Sequence, residues 1–160
     1  MAKRLDKPIR LYVMAIFVVI AYGLFPLVSV FPVGRESFLL VGPRFLPFNG
    51  SVQVLYGTDG EISVILLVIT FALGLLASAS AIVAFLGISE GRTATLIFVS
   101  LDVAWWFFLV SIGMSNLEGA GAFRLIGQLI FPPVWLTFVW WNFTRPDIGA
   151  YYKQESEKQQ

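Results

Sequence analysis

The sequence predicts an all-α membrane protein, a four-transmembrane-helix bundle with a small β-hairpin in its first extracytoplasmic loop. Three observations carry that expectation. The chain contains four long stretches almost free of charge. Apolar residues make up 58% of it and charged residues 13%, where a soluble domain carries roughly 25% charged residues. The first two stretches are separated by a long segment of β-prone runs and turn formers.

A helix needs about 20 mostly apolar residues to cross roughly 30 Å of hydrocarbon. Residues 11–34, 62–89 and 125–144 carry no charge, and residues 93–117 hold only Asp102. This spacing predicts crossing helices near 10–31, 62–88, 93–114 and 123–143, in one domain over residues 1–152. Lys3, Arg4, Lys7 and Arg10 precede the first stretch. That stretch is much longer than the apolar core of a signal peptide, so it reads as an uncleaved anchor.

Lys and Arg in short loops set the orientation. With the first residues inside, the inner side holds Lys3, Arg4, Lys7, Arg10, Arg92, Arg145, Lys153 and Lys158. The outer side holds Arg35, Arg44 and Arg124. Both termini are therefore expected in the cytoplasm. Tyr12, Trp140, Trp141, Tyr151 and Tyr152 would meet the inner headgroups.

The connection at 88–92 is short, which makes the second and third helices antiparallel neighbours. The loop at 32–61 is long for a segment without structure of its own. It holds two β-prone runs, Ser37–Val41 and Ser51–Tyr56, and an Asn49-Gly50 pair suited to a type I′ turn. A hairpin is the expectation. Asn49-Gly50-Ser51 also matches a glycosylation sequon, but the turn explains it more simply. Residues 153–160 are a polar tail on the cytoplasmic side.

Cysteine and histidine are both absent. Disulfides, thiolate metal sites, imidazole ligation and the commonest general base are thereby excluded. The formal net charge of +1 gives no field for nucleic acid. No catalytic residue, cofactor or metal is expected.

Asp102 is the sharpest chemical feature. A carboxylate so deep in an apolar helix must face the bundle interior and find a partner or a proton. Three readings stand. It is interhelical glue, bonded to Trp105 or Trp106, or to Tyr22, Ser78, Ser80 or Gln128; it binds a proton or cation on a transport path; or it contacts another subunit. Asp102, Gln128 and Tyr22 form the candidate buried polar site.

The second helix carries small residues at helical spacing, among them Gly74, Ser78 and Ala81. Such faces let helix backbones approach closely in lipid. Pro132 and Pro133 fall near the middle of the fourth helix. Each lacks an N–H and clashes with the carbonyl four residues back, which predicts a kink. Trp105-Trp106-Phe107-Phe108 reads as packing and lipid-facing surface.

Two ends of the chain carry a resemblance. One is Lys7-Pro8-Ile9-Arg10. The other is Trp140-Trp141-Asn142-Phe143-Thr144-Arg145-Pro146, running on to Tyr151-Tyr152. This resembles the small uncharacterised four-helix membrane proteins of bacteria and archaea, which implies a prokaryotic plasma membrane and no particular activity. The long first loop is also similar to the claudin plan, but it lacks the Trp and paired Cys of that family. The expected role is a non-catalytic accessory or scaffold subunit. Its partners would be the lipid bilayer and either other membrane subunits or further copies of itself. The alternative is a small transporter or channel that uses Asp102.

Overall fold

The computed structural model describes residues 7–24, 60–111 and 129–158. Five α-helices occupy them: α1 (Ile9–Val19), α2 (Gly60–Phe85), α3 (Ser89–Ser111), α4 (Phe131–Phe143) and α5 (Pro146–Lys158). A π-helical turn, Ile20–Leu24, continues α1.

α1 buries Leu11, Met14, Ala15 and Val18, a stripe at helical spacing. Its π-turn buries Ala21 and Tyr22.

α2 is 26 residues long and free of proline. Its buried line is Thr70, Gly74, Ala77, Ser78, Ala81 and Ala84. Every member is small, so neighbouring backbones come close. A Cβ built on Gly23 would lie 3.0 Å from the Ser78 hydroxyl oxygen, which brings the π-turn directly against α2.

α2 ends in a Schellman motif. Gly87 takes a φ of +93°, a left-handed conformation that glycine adopts without steric penalty. Its N–H donates to the Ala84 carbonyl at 3.0 Å, and the Ile88 N–H reaches back to Val83 at 3.4 Å. α3 starts two residues after Gly87. Gly91 then passes so close to α2 that a Cβ there would sit 2.6 Å from the Val83 carbonyl carbon and nearer still to the Ala84 nitrogen. Only glycine fits.

The expected four crossings are corrected here. Among the described residues one helix is long and apolar enough to cross a membrane: α2, through Val68–Phe85. A charge-free stretch measures apolarity, and regular helix is a separate requirement. α1 keeps α geometry for 11 residues, about 17 Å. α4 keeps it for 13 residues, about 20 Å, well short of the bilayer core. α3 has 23 residues, but Glu90, Arg92, Thr93, Thr95, Ser100 and Asp102 dilute its apolarity.

The hairpin half of the expectation fares no better. Residues 37–56, on which it rests, lie outside the described residues. Gly60 and Glu61, the end of that loop, already belong to α2. Among the described residues there is no strand, and the described chain is all-helical.

The prolines also sit differently. Pro132 and Pro133 occupy the first turn of α4. N–H groups there have no partner inside the helix, so proline is well tolerated. Leu129 and Ile130, directly before α4, are π-helical.

Pro146 disfavours α geometry at Arg145, so α4 stops. Its fixed φ then opens α5. The polar tail continues this helix as far as Lys158. α5 buries Ile148, Tyr151 and Tyr152, spaced three and four residues apart. Tyr151 and Tyr152 pack against the α2–α3 turn.

Candidate functional site

The buried polar groups gather along the α2–α3 pair. α3 turns Thr95, Val99, Asp102, Val103 and Trp106 inward. Asp102 is 1% exposed. The Thr95 hydroxyl is satisfied within its own helix, donating to the Gly91 carbonyl at 2.7 Å. Trp105 Nε1 donates across to Thr70 Oγ1 on α2 at 2.9 Å. That bond fixes the antiparallel register and puts Asp102 level with Leu73 and Gly74, inside the apolar stretch of α2.

Two expected partners of Asp102, Trp105 and Ser80, donate elsewhere. The indole N–H of Trp105 goes to Thr70. The Ser80 hydroxyl donates to the Ala77 carbonyl at 2.9 Å. The Ser78 hydroxyl is buried with no hydrogen-bond partner, packed where Gly23 approaches. Tyr22 is fully buried, and its hydroxyl accepts from Trp135 Nε1 at 2.9 Å. That bond ties the π-turn to α4. Gln128 lies outside the described residues. Gly74, Ser78 and Ala81 are buried on α2, and Pro132 and Pro133 stand at the start of α4.

A second cluster was not anticipated, at the opposite end of α2. The Tyr152 hydroxyl donates to the Ala84 carbonyl at 2.7 Å. That carbonyl therefore serves both the Schellman turn and α5. Burial pushes the Tyr152 hydroxyl well above the ordinary tyrosine pKa, and nearby Arg92 offsets this only in part. The Arg92 guanidinium lies 5.9 Å from the Tyr152 ring centre. A Cβ on Gly87 would meet the Tyr151 hydroxyl at 3.1 Å.

The start of α1 joins the same end. Lys7 Nζ stands 4.1 Å from the Phe85 ring centre and 5.1 Å from that of Tyr12, and the two rings meet edge to face at 5.0 Å. Exposed Glu90 opens α3 there. Its own backbone N–H and the Ser89 hydroxyl hold its carboxyl below the usual carboxylate range. The sequence signal for this cluster was the Gly87-x-x-x-Gly91 spacing at a turn, with an Ile148-x-x-Tyr151-Tyr152 stripe after Pro146.

Chemically, the arrangement positions and packs. Among the described residues no three carboxylates gather into a metal-binding group. The Asp102 carboxylate is buried. It could hold a proton or act as a hydrogen-bonding tie. Compared with family models, with curated proteins and with solved structures, the chain matches none.

Proposed function

We propose that this chain is a non-catalytic integral membrane protein, an accessory or scaffold subunit that packs beside other membrane chains. The observation that carries the reading is the outward face of the helices. α1 turns out Ile16 and Phe17, α2 turns out Leu75, Leu76 and Ile82, α3 turns out Ile97 and Leu101, and α4 turns out Val134, Phe138 and Trp141. Helices that are apolar on every side need an apolar surround. α5 is the exception, exposing Lys153, Ser156 and Glu157, as suits a helix lying where water begins.

The start of α1 and the whole of α5 meet the same end of α2. This supports an arrangement with both on one side of the membrane. The Lys and Arg distribution favours the cytoplasmic side, and a prokaryotic plasma membrane is the proposed location. Purification in mild detergent tests the role. A second membrane chain should accompany the protein in fixed stoichiometry. A monodisperse preparation with no companion contradicts an accessory role.

One observation favours a second reading, a small transporter or channel: Asp102 is buried at the depth of the apolar stretch of α2. In that reading, reconstituted flux falls sharply on Asp102→Asn. Flux unchanged by Asp102→Asn and Asp102→Ala rejects it.

A further inference from the structure

α4 carries an open groove of about 420 Å³ lined by Pro133, Val134, Thr137, Phe138 and Trp141. Its walls are almost wholly apolar. The one hydroxyl, on Thr137, is spent on the Pro133 carbonyl at 2.8 Å. Nothing polar in these walls asks for a polar ligand.

The inner end of the groove differs. The Arg145 guanidinium stacks 4.7 Å from the ring centre of Trp141, itself 60% exposed. Arginine often follows a helix to satisfy its last carbonyls, and here Thr144 already serves that of Trp140. The Thr144 N–H and hydroxyl both donate to Trp140, at 2.9 and 2.7 Å, and the Asn142 amide donates to Phe138 at 2.8 Å. No carboxylate pairs with Arg145 among the described residues. Asp147, the nearest acid in sequence, is exposed in the first turn of α5, where the helix dipole favours it. Arg145 thus presents a planar fork of donors suited to a phosphate, at the end of an apolar channel.

We infer that this face of α4 holds an anionic phospholipid. One acyl chain lies along Val134, Phe138 and Trp141, and the phosphate meets Arg145. Charge complementarity selects a lipid over a neighbouring helix, because an apolar helix offers Arg145 nothing. The inference rests on the membrane reading above, and its test separates the two.

The protein is reconstituted into phosphatidylcholine vesicles containing a minor share of brominated lipid, either phosphatidylglycerol or phosphatidylcholine. Quenching of Trp141 is taken as the difference between the wild type and Trp141→Phe. The expected result is an enrichment of phosphatidylglycerol at Trp141 by about fivefold over phosphatidylcholine, the size of one basic residue's attraction to an anionic lipid. Arg145→Gln should bring the two to parity, and Arg145→Lys should keep most of the preference. Equal quenching by both lipids in the wild type overturns the site but leaves the membrane reading standing. So does a preference that survives Arg145→Gln. Failure of any brominated lipid to quench any tryptophan overturns the membrane reading, and the site with it.

Discussion

α2 and α5 are built in opposite senses. α2 hides small residues, Gly74, Ala77, Ser78, Ala81 and Ala84, and displays large ones, Leu75, Leu76 and Ile82. α5 hides its large ones, Ile148, Tyr151 and Tyr152, and displays Lys153, Ser156 and Glu157. In water, burying large apolar side chains drives packing, and α5 follows that rule. In lipid, transfer from tail to tail gains nothing, so close backbone approach by small residues takes over. α2 is built as the second rule would have it. On the membrane proposal above, the surroundings change at the joint where the Ala84 carbonyl accepts from both Gly87 and Tyr152.

The largest expected effect falls on that joint. Gly91→Ala forces a methyl into the backbone of Val83 and Ala84. Neither helix can yield locally, so about 3 kcal/mol or more of stability should be lost. Thermal unfolding in detergent, or the yield of folded protein, reads this. A Gly91→Ala variant with wild-type stability would mean that the turn is looser than described.

Next comes a charge on the outward face of α2. Leu75→Lys places an ammonium near the middle of the Val68–Phe85 stretch. In lipid this costs about 3 kcal/mol, and the carbonate-resistant fraction should fall. Glu157→Lys on α5 should leave that fraction unchanged. Equal, negligible effects at both positions would erase the contrast between the helices.

Tyr152→Phe removes one hydrogen bond to a buried carbonyl and should cost about 1 kcal/mol. It also carries a pH signature. The pKa of Tyr152 is raised in the fold by burial, so its neutral form is favoured there. Its stabilisation is complete below the ordinary tyrosine value of about 10 and is lost as pH rises through the higher folded value. Unfolding titrations from pH 8 upward should therefore show a shallower alkaline loss in Tyr152→Phe than in the wild type. The smallest effect belongs to Leu75→Ala. It trims a half-exposed side chain and should change stability by less than about 0.5 kcal/mol.

Much of this was legible in the residues. The apolar run of α2, its small-residue face, the short turn after Phe85 and the burial of Asp102 all follow from spacing and hydropathy. The rest was not, for physical reasons. Proline marks both the ends and the beginnings of helices, so Pro146 read as the stop it is, but not also as the opening of α5. A tyrosine pair serves equally at a headgroup or in a packed joint, and only the Ile148 spacing hints at the second. Trp105 had two possible acceptors nearby, and the choice of Thr70 over Asp102 depends on the register of α3 against α2. Charge-free length could not reveal where α1 leaves regular geometry.

Single-cysteine labelling tests the central claim most directly, because the chain has no cysteine of its own. Leu75→Cys, Leu76→Cys, Lys7→Cys and Glu157→Cys are each placed in the otherwise unchanged chain and treated, in sealed membranes, with a maleimide that cannot cross them. Membrane residence predicts that Lys7→Cys and Glu157→Cys react together when one face is presented and are silent together from the other. Leu75→Cys and Leu76→Cys should stay unlabelled from both faces until the membrane is dissolved and the protein unfolded. Labelling of Leu75→Cys as fast as Glu157→Cys in intact membranes would contradict the claim.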